Sequence, residues 1–173
     1  MIRRLVRRLL DDRKPAERPA APPPPAREEE PDGTIPVGDV VAALAQHTVA
    51  DVRHPRDWAM GIIPGAVRAP RGEGLAGSRI TAVIDQIGAE APAIAERLGV
   101  PWIRGGFAAW LEEGGPIEAP PRVGHHQVGD TARLHGRDCW IRDIVRERDR
   151  VDVTLWFEDG PAAERVPGES LDG

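Results

Sequence analysis

The 173-residue chain has little cysteine and few aromatic side chains: it contains one cysteine, two phenylalanines and no tyrosine. A single cysteine, Cys139, excludes an intramolecular disulfide, which is typical of proteins from a reducing compartment. No apolar run approaches the about 20 residues that a transmembrane helix needs. Arg7 and Arg8 interrupt any apolar stretch near the N-terminus, so we expect no secretory signal and a cytoplasmic protein.

The chain also has little lysine, since Lys14 is the only one, and its formal net charge is −5. This acidic balance disfavours nucleic acid as a partner. The positive charge is concentrated at one end, because residues 1–14 carry six basic and two acidic side chains. We therefore expect a short basic tip on an otherwise acidic protein.

Residues 1–14 predict a basic amphipathic helix. Its apolar residues recur at helical spacing and form one stripe: Ile2, Leu5, Val6, Leu9 and Leu10. Two partners fit such a helix, an anionic membrane surface that would make the protein membrane-peripheral and the surface of another protein. Residues 15–33 predict an acidic, proline-rich linker, since Pro22 to Pro25 favour an extended polyproline conformation.

Residues 34–122 alternate short apolar strands with helices. We predict strands at 47–52, 79–85 and 100–103, and helices at 37–45, 89–98 and 107–113. This alternation is typical of an α/β domain with a parallel sheet flanked by helices. Pro92 fits within the first turn of the second helix.

Residues 123–173 predict a small antiparallel β-barrel, with strands at 131–135, 139–145 and 150–157 and a turn at Gly136. We expect Trp156 to fill its core beside Leu155 and Phe157. The opening Val128-Gly129-Asp130 and the closing Val166-Pro167 resemble SH3-like small barrels. That fold has many functions, so the resemblance identifies none.

Two segments of the middle region carry a further resemblance. The first, residues 51–66, ends an apolar strand and continues into a tight reversal, and the second, residues 105–116, begins with two glycines. Their motif residues are Asp51, Arg53, Gly61, Pro64 and Gly65 in the first segment, and Gly105, Gly106, Phe107 and Trp110 in the second. In this order they resemble the rhodanese-like domain family over roughly residues 34–118. Ile62 replaces the histidine that is usual in this motif.

The active-site loop of that family should lie between the two segments. The resemblance implies a strand that ends in a cysteine, followed by backbone amides that bind an anion or a persulfide. The matching positions are Asp85, Gln86, Ile87, Gly88, Ala89, Glu90 and Ala91. Asp85 stands at the cysteine, Glu90 at a basic residue and Ala91 at a hydroxyl residue. A carboxylate cannot carry a persulfide, so we expect no catalytic residue here and no sulfurtransferase activity.

We expect the residues of this degenerate loop to face solvent and to bind neither a metal nor a cofactor. Two carboxylates, Asp85 and Glu90, are too few for a metal site. His125 and His126 are neighbours in an extended connector, where their side chains should point in opposite directions.

The sequence leaves three functions open. We favour a binding or adaptor module with an unidentified protein partner. The alternatives are an enzyme that uses Asp85 as base or nucleophile, and a sulfur-relay accessory protein. An open cleft beside Asp85 and Glu90 would favour the enzyme, and a closed loop would favour the adaptor.

Overall fold

The computed structural model describes residues 33–160 and 163–171. The basic helix predicted for residues 1–14 lies outside them, as does the linker predicted for residues 15–33, except for Gly33.

Five short strands form a parallel sheet. They are β1 (Thr34–Ile35), β2 (Val49–Asp51), β3 (Val67–Arg68), β4 (Ala82–Ile84) and β5 (Trp102–Ile103), in the order β1-β5-β4-β2-β3. The residues of β2 and β4 are all buried, as expected of parallel strands that are covered on both faces. The three predicted strands are shorter than the apolar runs that predicted them, because only part of each run pairs within the sheet, and β1 and β3 were not predicted.

Three α-helices cover the two faces of this sheet: α1 (Val37–Ala42), α2 (Ala91–Leu98) and α3 (Gly106–Glu112). Helices α1 and α3 share one core cluster with Val49 and Ile84, whereas α2 packs in another with Ala50 and Val83. Pro92 lies in the first turn of α2, as predicted. Short 3-10 helices follow α1 at Leu44–Gln46, β2 at Pro55–Met60 and β3 at Pro70–Gly72. The predicted α/β class is confirmed.

The C-terminal part forms an antiparallel sheet. Its strands are β8 (Thr131–Leu134), β9 (Arg137–Glu147), β10 (Arg150–Trp156) and β11 (Glu164–Pro167), in the order β11-β10-β9-β8. A short hairpin of β6 (Arg122–Val123) and β7 (His126–Gln127) precedes it, and a 3-10 helix, Gly168–Ser170, follows. His135 and Gly136, both with positive φ, make the tight turn between β8 and β9. Among the described residues β8 and β11 are the outer strands, so closure into an SH3-like barrel stays a prediction.

The two sheets meet through side chains of the α/β part. Trp58 and Ile62 are buried in the core cluster of the antiparallel sheet, together with Val128 and Ile141. The backbones approach so closely that a Cβ added to Gly129 would lie 2.8 Å from the Ala59 nitrogen. The domain boundaries predicted after residues 33 and 122 stay predictions, and a hydrophobic core continues across the second of them.

Candidate functional site

A cleft of about 280 Å³ lies at the carboxyl ends of β2, β3 and β4. This is the edge at which open parallel sheets bind their ligands. Residues within 52–57, Pro70 with Arg71, and residues within 85–90 line three of its sides, and Trp156 of the antiparallel sheet completes it. The fold therefore brings the first motif segment and the predicted active-site loop to one cleft.

Asp85 directly follows β4 and organises this loop. Its carboxylate accepts hydrogen bonds from three backbone N–H groups: those of Gly88 on Oδ1, and of Glu90 (2.5 Å) and Ala91 (2.9 Å) on Oδ2. Only 4% of Asp85 is exposed, so the expectation that it faces solvent is wrong. Its side chain folds back onto the amides at the start of α2, whereas Ile87 and Glu90 are exposed. The amides that the sequence resemblance predicts to bind an anion here bind a carboxylate of the chain itself.

The start of α3, which follows the two glycines of the second motif segment, packs directly against the loop. The Phe107 N–H donates to the Asp85 carbonyl oxygen at 2.7 Å, and the Ala108 N–H donates to that of Gln86 at 3.1 Å. A Cβ at Gly106, whose φ is +63°, would lie 2.7 Å from that Asp85 oxygen. Gly106 is therefore required by the close approach of α3 to the loop, and Gly105 caps the helix in a left-handed conformation.

The loop after β2 is organised by a buried ion pair. Arg53 and Asp51 have fully buried side chains, with 2.7 Å between Nη2 and Oδ2. Arg53 also donates to the carbonyl oxygens of Gly61 (2.9 Å) and Asp57 (3.3 Å), and its guanidinium lies 3.5 Å from the centre of the Phe107 ring. Arg53 borders the cleft, but its polar atoms bind the chain itself, so its role is structural.

The remaining motif residues are structural as well. Gly61 ends a 3-10 helix, Pro64 and Gly65 form the predicted turn before β3, and none of them lines the cleft. Phe107 and Trp110 share the buried face of α3. Ile62, at the place of the usual histidine, lies in the core shared by the two sheets.

His54 is the residue of the cleft that the sequence did not single out. Its ring lies nearly perpendicular to Trp140 and Trp156, with centroid distances of 4.9 and 5.5 Å. Its Nδ1 accepts a hydrogen bond of 3.2 Å from the Arg56 N–H. Burial, followed by the nearby charge of Arg56, lowers the pKa of His54. The neutral form is therefore favoured in the folded chain, and no motif in the sequence signals these contacts.

Paired charges surround the mouth of the cleft. Arg56 lies 3.5 Å from the Asp57 carboxylate, and Arg71 lies 3.2 Å from that of Glu158. Trp156 is buried as predicted, but its ring borders the cleft and its Nε1 donates to Glu73 at 2.9 Å. Because each arginine already has an acidic partner, the rim is not a free anion-binding surface.

The cleft has no residue that could act as a thiol, hydroxyl or amine nucleophile. No cysteine, serine, threonine or lysine occurs among the described residues that line it. Cys139 is buried in the antiparallel sheet, where its Sγ donates to the Ala132 carbonyl oxygen, and burial raises the pKa of this thiol. A thiol held in this way is a poor nucleophile.

A second, wider groove of about 1220 Å³ lies beside the β8–β9 hairpin. His125 and His126 line it, and their ring centroids are 4.0 Å apart. The expectation that they point in opposite directions is wrong, because the chain turns at Gly124 and His125 instead of running extended. Within residues 33–160 and 163–171 no group of three or more His, Cys, Asp or Glu could hold a metal ion. No helix in the same ranges is long and apolar enough to cross a membrane.

Solved structures similar to this chain include rhodanese-like proteins. A rhodanese-related protein from Thermoplasma volcanium is 28% identical, over 49% of this chain and 96% of its own, with a TM-score of 0.45. A rhodanese-like domain protein from Staphylococcus aureus is 22% identical, over 51% and 98%, with a TM-score of 0.42. A rhodanese-like domain from Anabaena sp. is 21% identical, over 61% and 96%, with a TM-score of 0.43.

No protein-family profile matches the chain, and no curated protein matches it. Its structural neighbours include rhodanese-like proteins, and its own topology is a parallel α/β sheet followed by antiparallel sheets.

Proposed function

We propose that this chain is a catalytically inactive rhodanese-like protein that acts as a binding or adaptor module. The observation that carries the proposal is the Asp85 carboxylate, which accepts hydrogen bonds from the Gly88, Glu90 and Ala91 amides. Sulfur transfer by this family requires a thiolate at that position and free amides for an anion. One carboxylate takes both places and cannot carry a persulfide.

Electrostatics support the same conclusion. An oxyanion entering the loop would have to displace Asp85 from the amides and would meet the exposed Glu90. Like charges in such a position repel, and no arginine of the loop compensates them. Cys139 cannot replace the missing thiolate, because it is buried in the other sheet.

A binding role is supported by the surface of the same loop. Ile87 is 67% exposed, although it is a large apolar residue in the middle of the segment that borders the cleft. An apolar side chain exposed on a loop that borders a cleft is available for contact with a protein partner. We place the docking surface for a partner protein at this loop, with a sulfurtransferase as one partner if the chain is a sulfur-relay accessory protein.

Two further elements of the proposal lie beyond the cleft. Residues 1–14 would attach the chain to an anionic membrane surface, since their apolar stripe is flanked by arginines. The antiparallel sheet would act as an SH3-like module that completes the cleft through Trp156.

One observation favours the alternative of an enzyme. The cleft is open beside Asp85 and Glu90, and His54 forms part of its wall. A general base must reach a substrate proton, however, and only 4% of Asp85 is exposed while its carboxylate is bonded to three amides of the loop. The geometry therefore supports the binding module better.

The first test is a sulfurtransferase assay with thiosulfate and cyanide. We expect no turnover above background for the wild-type protein and little for Asp85→Cys, because Glu90 and Ala91 still fail to attract an anion. The Cys139→Ser variant is the matched control. Wild-type turnover that survives Cys139→Ser contradicts the proposal, and a hydrolase screen in which Asp85→Asn abolishes activity would establish the enzyme instead.

The second test addresses the docking surface. Affinity capture from the native cell compares the wild-type protein with Ile87→Asp, and uses Leu111→Asp as the control, since Leu111 is exposed on α3. We expect Ile87→Asp to lose the partner and Leu111→Asp to keep it. Equal recovery by all three proteins places the docking surface elsewhere.

A further inference from the structure

His54 occupies the junction of the two sheets. It precedes the 3-10 helix Pro55–Met60, which carries Trp58 into the shared core. On its other side the imidazole touches Trp140 of β9 and Trp156 of β10. A change in this one side chain therefore reaches both sheets and the cleft between them.

The hydrogen bond from the Arg56 N–H to Nδ1 depends on the protonation state of this ring. An imidazole nitrogen accepts a hydrogen bond only through a free lone pair, so the bond requires a neutral ring with its proton on Nε2. A second proton would occupy that lone pair. The Arg56 N–H, which belongs to the first turn of the 3-10 helix, would then lose its acceptor.

The charges around His54 act in both directions. Arg56 on its own helix and Arg71 after β3 disfavour a positive imidazole, whereas Asp57 and Glu158 favour it. The packed strands present the indoles of Trp140 and Trp156, the latter bonded to Glu73, and the opposite wall of the cleft presents Asp85 and Glu90. Burial and Arg56 are the two largest influences, and both lower the pKa of His54.

We propose that the neutral His54 ring links the two sheets. Its protonation releases the 3-10 helix Pro55–Met60 and loosens the wall of the cleft. This property is independent of the proposed binding function and is built into the fold. Only the neutral ring accepts the hydrogen bond from Arg56. The packing of the 3-10 helix and of the two indoles around His54 is therefore the arrangement at neutral pH.

The sign of the pH effect follows from the pKa of His54. Because it is lower in the folded chain than its unfolded value of about 6.5, the unfolded chain binds more protons in this range. Stability is therefore full above about pH 6.5 and decreases as the pH falls toward the folded value, below which the loss is complete.

The experiment compares the wild-type protein with His54→Asn. An asparagine oxygen can accept the same N–H but does not titrate, so the variant keeps the bond and loses the switch. Between about pH 7.5 and about pH 5, the wild-type Tm should fall by about 2–4 °C more than that of His54→Asn, the size expected for one capping bond. His125→Asn, which changes an exposed histidine, should keep the wild-type pH dependence.

A local measurement separates the switch from general acid sensitivity. The indole N–H of Trp156, which is bonded to Glu73, gives an NMR signal that should shift with a midpoint below 6.5 in the wild-type protein and not in His54→Asn. The proposal is overturned if both proteins show the same shift, or if the His54 ring titrates while the signals of Trp140 and Trp156 stay unchanged.

Discussion

Two loops at the same cleft are each organised by a buried carboxylate at the end of a strand, and they differ in what that carboxylate binds. Asp51, at the end of β2, pairs with the guanidinium of Arg53. Asp85, directly after β4, binds backbone amides. The first loop keeps the residues by which the sequence resembles the rhodanese-like family. The second has Asp85 at the position where the resemblance would place a cysteine.

This difference teaches what the resemblance can identify. Asp51, Arg53 and Gly106 are needed to bring the strand ends and α3 together, and they are needed whether or not the cleft performs a reaction. Asp85, in contrast, holds only the amides of its own loop. A motif built from structural residues such as Asp51, Arg53 and Gly106 therefore indicates the fold and does not indicate the activity.

The largest loss of stability should come from breaking the ion pair between Asp51 and Arg53. Arg53→Leu leaves Asp51 charged, buried and unpaired, and removes the bonds to Gly61 and Asp57. We expect the free energy of unfolding to fall by about 3–5 kcal/mol, measured by urea denaturation. Arg56→Ala, which breaks an exposed pair beside it, should cost less than about 1 kcal/mol. Similar losses for the two variants would refute the structural role of the buried pair.

Removing the Asp85 carboxylate, which binds backbone amides, should cause a smaller loss of stability that is confined to its loop. Asp85→Ala leaves the Gly88, Glu90 and Ala91 amides without their acceptor, but water can reach a loop at the edge of the cleft. We expect a loss of about 2–3 kcal/mol. Hydrogen exchange should accelerate at these three amides more than in β2, and uniform acceleration would show that the loop is not organised by Asp85 alone.

The smallest effect should come from the other carboxylate of the same loop. Glu90 is exposed and makes its contact with Asp85 through the backbone, so Glu90→Gln should change the free energy of unfolding by less than about 0.5 kcal/mol. A loss as large as that of Asp85→Ala would mean that charge on the loop, and not the bonded carboxylate, determines its conformation.

The sequence predicted the strands and helices of the fold much better than the contacts within the cleft. Alternating apolar segments are a local signal, and they identified the parallel α/β sheet and the helical start near Pro92. Their exact ends were less accurate, since the strand predicted at 79–85 forms only at Ala82–Ile84. Strand ends depend on which residues find partners across the sheet.

The contacts of the cleft were hidden because they join distant parts of the chain or depend on backbone direction. His54 meets Trp140 and Trp156, which belong to another sheet. The burial of Asp85 depends on three amides that turn toward it, and a pattern of side chains does not report amide direction. Trp58 points inward, into a core that the antiparallel sheet completes.

The placement of Trp58 and Ile62 has a consequence for how the chain is made. Both residues leave the ribosome well before the strands β9 and β10 that cover them. Until those strands are synthesised, the nascent α/β part exposes an indole and a branched aliphatic side chain, a surface that chaperones recognise and that promotes aggregation. Translation that stops before β10 should therefore yield an aggregation-prone fragment. The antiparallel sheet thus also keeps the α/β part soluble, because it covers Trp58 and Ile62.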